Sequence, residues 1–349
     1  MEWYFTVIMA VAIIAAWIAI TRYIRDHHIL EEHIKINSWY IMFIRTKNTI
    51  FLDKLRKWLP ISRWVQNLST AGVIGVVILL VIGFTSLILT VVVTLGSAKN
   101  ALPAQVTAPN NILLIPGVTD FVPLSIEVII ALFLAMAIHE IGHGIIARVY
   151  NIKVNEAGLL MFVIPIGAYV DPEESEINNL TPLEKCHIYA AGISTNIIGM
   201  AISFIATIYL YALCEGRTVM LGLSNLGADF INLMTLPVSN ILNNPSGLWI
   251  TQYTATYMPY HSEPFFGCWF LLHLAFWTFW LNAALALSNS LPILNLSDGS
   301  LISKEICNKI TDQLHLKRTN VNIATVIGVL VIGLFVIIVI TPYIRGIIG

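Results

Sequence analysis

The chain has 349 residues, 57% hydrophobic and only 11% charged, with a formal net charge of -1 and a mean hydropathy of +0.79. That balance excludes an ordinary soluble domain and points to an all-α polytopic membrane protein. There is no basic stripe of the kind that follows nucleic acid, and the near-neutral charge says nothing about other partners.

Six apolar segments each have about the twenty residues needed to cross hydrocarbon. They are Trp3–Ile20, Ala71–Leu95, Pro123–Ala147, Cys186–Leu213, Phe265–Leu291 and Val321–Pro342. They divide the chain into an N-terminal anchor with a basic segment (1–70), a second span and outer loop (71–122), a core of three spans (123–299), and a cytosolic segment with a last span (300–349). The first segment lacks a basic leader and a small-residue cleavage site, and reads as a retained anchor. Arg22, Arg25, Lys35, Arg45, Lys47, Lys54, Arg56, Lys57 and Arg63 fill the first loop, whereas the second loop has only Lys99 and the loop after the fourth span only Arg217. Lys304, Lys309, Lys317 and Arg318 precede the last span. Alternate loops are thus basic, which predicts an N-terminus outside and a cytosolic first loop. Within Thr21–Thr70, Ile50, Leu52, Leu55, Trp58 and Leu59 alternate with basic residues. This suggests an amphipathic helix, either lying on the anionic inner leaflet or solvated beside the membrane.

The third span carries His139-Glu140-Ile141-Gly142-His143. Residues four apart share a helix face, so both imidazoles can reach one zinc ion, and Glu140 can handle the proton of an attacking water. Packed histidines are the plain alternative. Against it, three ionisable residues within five positions of an apolar helix are costly, each about 2.5–3.5 kcal/mol for a centred charge. His139 precedes Arg148 by nine residues, or about 13 Å of helix, which sinks the motif below the cytosolic face.

Ile152–Asp171 is too short and too interrupted for a span, with Gly158, Pro165 and Gly167 punctuating it. It predicts a β-hairpin or re-entrant loop (152–171) after the HExxH helix. Its edge can pair with an unwound peptide, which makes Gly167, Ala168 and Tyr169 candidate substrate contacts, or the hairpin can simply plug the interior. In the fourth span, Asn196 is a lone amide among small residues. It suits a bond to a ligand histidine, a bond to a substrate carbonyl, or interhelical glue. The outer loop 215–264 is short for an independent domain.

A catalytic zinc site needs a third protein ligand. Asp298 ends a polar stretch from Asn289 through Pro292 that breaks the fifth span. Such backbone survives at membrane depth only inside protein or beside a wet cavity. A helix-ending Asp-Gly turn is the plain alternative, and the HExxH motif favours the ligand reading. Asp171 and Glu173 are weaker candidates in a charged loop. His27, His28, His33, His261 and His315 fall in loops. His187 and His273 lie in or near spans, packed or hydrogen-bonded, with a resting-state ligand role open. Cys186, Cys214, Cys268 and Cys307 form no CxxC site. Cys214 and Cys268 fall near outer span ends where a disulfide is conceivable, but unpaired small apolar residues are the favoured reading.

Together these residues resemble the site-2 protease family of intramembrane zinc metalloproteases. The resemblance covers roughly Leu132–Asn196 and Asn282–Gly299, about a quarter of the chain. It rests on HExxH, on Ala191-Gly192 followed by Asn196, and on Asn289, Pro292, Asp298 and Gly299. Gly167-Ala168-Tyr169-Val170-Asp171 is closer to the animal branch. Five residues separate Pro292 from Asp298, one more than is usual in the family. The resemblance implies that His139, His143 and Asp298 hold one zinc ion per chain, that Glu140 is the catalytic base, and that Asn196 and Asn289 support the site. No loop is long enough for the PDZ domain that many relatives carry.

The expected function is zinc-dependent cleavage, near the cytosolic side, of single-span membrane proteins held in the bilayer. The compact chain favours a prokaryotic plasma membrane. A metal transporter using the same His and Asp ligands is the main rival, and would tolerate Glu140→Gln. A zinc protease enclosing soluble or lipidated peptides is a second, which more often takes Glu as third ligand. A pseudo-protease scaffold finds no support, since every expected polar group is present.

Overall fold

The computed structural model describes residues 3–58, 63–96, 122–214, 267–294, 296–314 and 323–348. The outer loop 215–264 with His261, the loop cations Lys99, Arg217, Lys317 and Arg318, and Leu59, Asn295 and His315 lie outside them. In chain order the elements are α1 (Trp3–Asp26), β1 (Ile34–Ile36), β2 (Met42–Thr46), α2 (Ile50–Trp58), α3 (Arg63–Gly96) and α4 (Ile126–Val149). Then come β3 (Val154–Phe162), β4 (Ile164–Pro172), α5 (Glu174–Asn178), α6 (Pro182–Cys214), α7 (Cys268–Ser290), α8 (Asp298–Gln313) and α9 (Ile323–Ile348).

Helices fall on all six apolar segments. Among the described residues, Asn67–Leu89, α4, α6 and α7 are long and apolar enough to cross a membrane, and α9 offers a shorter apolar run, Ile323–Ile338. The protein is a polytopic helical bundle with a small antiparallel sheet. Over half of the apolar window of α7 is buried (56%) against 17% in α3, so α7 is central and α3 faces lipid. Val128, Ala131 and Ala135 of α4, Ile208 of α6, and Leu272, Phe276 and Trp280 of α7 form the largest core cluster. Small residues on α4 meet large aromatics on α7, which lets the two helices approach closely.

The four strands form one sheet in the order β1-β2-β3-β4, each pair antiparallel. The expected hairpin is its second half. Its first half comes from the loop between the first two spans, which sequence patterning assigned no strand. β1 and β2 are only three and five residues long, and β2 pairs with a strand more than a hundred residues away, Thr46 opposite Ala157. Trp17 of α1 lies edge-on to Phe162 near the hairpin tip, 6.3 Å between ring centroids, and its indole donates to the Tyr40 carbonyl at 2.9 Å. Trp17 sits eight residues before Arg25, about 12 Å of helix, so the tip lies alongside an apolar helix well inside its polar end.

One further expectation, the unpaired reading of Cys214 and Cys268, needs correction, and another gains a contact. α2 lays one face against the protein and leaves Ile50 and Leu55 exposed on the other. Leu52 is fully buried among Ala147, Ile152, Val154, Ile177 and Ile188, over the notch left by Gly144. Arg148 fastens it, with Nε 3.3 Å from Asp53 and Nη2 donating to Thr49 at 2.8 Å. Cys214 and Cys268 are joined by a disulfide that ties the end of α6 to the start of α7. Neighbouring span ends bring the two thiols together, which spacing in the chain does not reveal. Cys186 and Cys307 are free.

Candidate metal centre

α4 begins with Ser125, whose hydroxyl accepts from the Val128 amide at 3.4 Å, and with Glu127 in its first turn; Arg148 lies in its last. Each end thus complements the helix dipole. On this helix His139 and His143 stand one turn apart, facing α6. The helices cross closely because glycines lie at the crossing. A Cβ on Gly142 would come within 2.8 Å of the Ala191 carbonyl. A Cβ on Gly192 would press on His143 Nε2 and lie 2.6 Å from His139 Nε2. Thr195 Oγ1 adds a bond across the crossing to the Ile138 carbonyl at 3.0 Å.

Asp298 arrives by a different route. α7 stops at Ser290 because Pro292 can supply no helical amide hydrogen. The turn that follows is organised by Ser297. Its hydroxyl donates to the Leu291 carbonyl and accepts from the Ile293 amide at 3.0 Å and the Ser300 amide at 3.3 Å, so it also caps α8. Gly83 of α3 and Gly328 of α9 let those helices close over the turn, 3.0 Å from Leu291 Cδ2 and 3.1 Å from the Pro292 carbonyl as judged from an added Cβ. The irregular backbone is therefore wrapped in protein, as membrane depth requires. Gly299 abuts the carbonyls of Ser290 and Asn289, where any side chain would force the turn open. Asp298 opens α8, and its carboxylate sits where a helix N-terminus favours negative charge.

Asp298 Oδ2 lies 3.0 Å from His139 Nε2 and 3.3 Å from His143 Nε2, and the two Nε2 atoms are 3.2 Å apart. These residues are the one His/Cys/Asp/Glu group among the described residues that can hold a metal ion. Their separations match the edge of a tetrahedron, about 3.3 Å for ligands 2.0–2.1 Å from a zinc ion. The donor set agrees. His143 Nδ1 donates to the Ile188 carbonyl at 2.8 Å, which fixes its tautomer and turns the Nε2 lone pair to the centre. Asp298 Oδ2 is buried and accepts a hydrogen bond from neither imidazole. Converging lone pairs and an orphaned carboxylate oxygen fit a cation between them.

Asn196, fully buried, has Nδ2 3.2 Å from His139 Nδ1 and an Oδ1 without a partner. The two ends of an amide exchange by rotation. With the oxygen toward the ring it accepts from His139 Nδ1–H, giving His139 the same tautomer as His143. Of the readings open in the sequence, the bond to the ligand histidine is thus the one the geometry favours.

Glu140 points to the sheet. Its Oε2 accepts from the Val170 amide at 3.0 Å, so β4 runs directly beside HExxH. Val170 opposes Ala157 and Ala168 opposes Leu159. Outward and inward amides alternate along an antiparallel strand, so Ala168 shares the outward direction of Val170, and among the described residues no further strand pairs with that edge of β4. Gly167 and Tyr169 point their backbone groups toward β3.

Other candidates lie elsewhere. The Asn289 carbonyl contacts Gly299. Asp171 is exposed, and Glu173 accepts from Asn155 and Ser175, which hold its carboxyl below the usual range. His187 bridges Thr70 Oγ1 (3.0 Å) and the Tyr150 hydroxyl (2.6 Å), and His273 lies edge-on to Trp269; neither joins the metal group. The Ile188 carbonyl and the Val170 amide left no trace in the sequence, because any residue supplies them. Gly192 is partly foreshadowed by the small-residue turn that holds it.

Residues 127–335, more than half of the chain, match the sequence profile of Peptidase family M50. The chain belongs to peptidase family M50. The match takes in α4, the hairpin, α6, α7 and the Asp298 turn, and therefore every residue of the metal group. An uncharacterized protein of Methanocaldococcus jannaschii is 30% identical over 167 residues, 47% of this chain and 41% of that protein. The aligned part thus spans about two fifths of the relative's length. No solved structure matches the chain. With four helices long and apolar enough to cross a membrane among the described residues, this M50 member is an integral membrane protein.

Proposed function

We propose that this M50 peptidase is a zinc-dependent intramembrane endopeptidase that cleaves single-span membrane proteins near the cytosolic side of the bilayer. The convergence of His139, His143 and Asp298, with Glu140 alongside, on a helix long and apolar enough to span carries the reading. These three residues would hold the zinc ion, which supplies Lewis-acid polarisation of the peptide carbonyl and acidifies water. Glu140 takes the proton of the attacking water and delivers it to the leaving amine. Its bond to Val170 keeps the carboxylate beside β4. Asn196 and the Ile188 carbonyl orient the imidazoles. A helical peptide bond is shielded by its own turn, so a substrate span must unwind to react. The outward edge of β4 at Ala168 offers the opened segment backbone partners by strand addition.

The disulfide supports the expected orientation. It lies at the α6–α7 end opposite HExxH along the bundle, and disulfides persist on the oxidising side of a membrane. The basic first loop lies toward the other end.

The test compares wild type with Glu140→Gln on a panel of single-span proteins in liposomes, with zinc quantified in both. We expect equal zinc and cleavage lost in the variant. Equal cleavage by both would refute the assignment, and zinc passage retained by Glu140→Gln would favour the transporter.

A further inference from the structure

We propose that Arg45, in the strand pair contributed by the N-terminal segment, is a positioning residue that acts through Glu156 to hold Tyr169 and the β4 edge for substrate; this rests on the strand-addition reading above. Three residues lie in a row across the sheet: Arg45 on β2 opposes Gly158 on β3, which opposes Tyr169 on β4. Gly158 leaves the middle place empty. A Cβ there would strike the Ile44 carbonyl and lie 2.8 Å from Tyr169 Cε1. The Tyr169 ring therefore crosses over β3, and its hydroxyl donates to Glu156 Oε1 at 3.0 Å. From the other side Arg45 Nη1 donates to Glu156 Oε2 at 3.1 Å. Phe43 braces the ring edge-on at 6.1 Å. Burial and the Glu156 carboxylate push the Tyr169 hydroxyl up to about 12, so it remains a donor. Arg45 and Glu156 are only about a fifth exposed (22% and 23%), so water screens their pair weakly.

The arrangement matters for function because of where Tyr169 stands. Its neighbours are Ala168, whose outward amide is the pairing position, and Val170, whose amide holds Glu140. A strand added to β4 would place one side chain opposite Tyr169, against the ring. The clamp thus sets both the wall of that subsite and the line of the edge. Two of its four side chains, Phe43 and Arg45, precede the M50-matched region, so the catalytic unit extends beyond it.

The experiment uses the full-length protein in nanodiscs. Arg45→Met and Glu156→Gln are compared with wild type and with Arg22→Gln, which alters an exposed pair on α1. KM and kcat are measured on a cleaved single-span protein, deuterium uptake over residues 164–172 without substrate, and zinc content throughout. We expect Arg45→Met and Glu156→Gln to raise KM about five-fold with kcat within about two-fold. Uptake in β4 should quicken, zinc should be retained, and Arg22→Gln should match wild type. Unchanged KM and uptake would overturn the proposal. So would a fall in kcat in step with zinc loss, which would make Arg45 a residue of general stability. If wild type cleaves nothing, the protease reading fails on its own, and the uptake comparison still decides whether Arg45 and Glu156 hold β4.

Discussion

Gly192→Ala should empty the metal centre while leaving the fold standing. The new methyl group would lie 2.6 Å from His139 Nε2 and 2.7 Å from its Cε1, and closer still to His143 Nε2. Ordinary contact begins near 3.4 Å, so His139 alone must retreat by about 0.8 Å. Metal–ligand distances tolerate only about 0.2 Å. Neither ring can comply, because each is tethered behind, His143 to the Ile188 carbonyl and His139 to Asn196. Overpacking of this kind costs about 1–3 kcal/mol, which a helix crossing of this size can absorb. Purified variant should therefore elute as wild type on gel filtration but carry under about a tenth of the zinc by elemental analysis. Gly199→Ala is the control: its Cβ would lie 2.8 Å from Asn282 Oδ1, a somewhat smaller intrusion on the same helix. It should keep its zinc. Stoichiometric zinc in Gly192→Ala, at wild-type affinity, would refute the placement of the centre at this crossing.

Asn196→Ala removes the partner of His139 Nδ1 and should weaken zinc binding about 10–100-fold in a chelator competition, without abolishing it. Ser297→Ala deletes the hub of the turn and the cap of α8; about 1–2 kcal/mol of stability should go, seen as a lower Tm in detergent, together with part of the zinc as Asp298 drifts. Cys214→Ser opens a bridge between residues 54 apart, worth about 4 kcal/mol by chain entropy, and the same loss should follow a membrane-impermeant reductant added from the outer side only. Leu52→Ala empties a fully buried site beside Gly144 and should cost about 2–5 kcal/mol by thermal unfolding.

The helices were legible because lipid imposes one rule, a long apolar run, and each run declares itself locally. The candidate site was legible for the opposite reason. His139, Glu140, His143 and Asp298 are residues that an apolar span excludes unless something compensates them. What sequence hides is any contact whose chemistry is not special to a residue type. The Ile188 carbonyl and the Val170 amide belong to this class. Strands β1 and β2 are hidden for another reason: Ile34–Ile36 is too short for alternation to register, and the partner of β2 is distant in the chain. The packing of α2 followed its pattern only halfway. The apolar side chains were in place, but Gly144, the notch that receives Leu52, lies on another helix.

Glu140 joins these levels. A strand edge packed against an apolar helix leaves amides without water, and each unsatisfied one costs free energy. Val170 meets this by donating to the Glu140 carboxylate, so the bond that makes the edge tolerable also aims the base. A substrate strand that pairs at Ala168 need not break it, since the two outward positions are a full two-residue step apart. Glu140→Ala should then do more than stop proton transfer: it leaves the Val170 amide unpaired and loosens β4, whereas Glu140→Gln keeps an acceptor there. Substrate binding, measured without turnover, should accordingly weaken in the alanine variant and survive in the glutamine one. Equal binding by both would separate the base from the strand and undo this link.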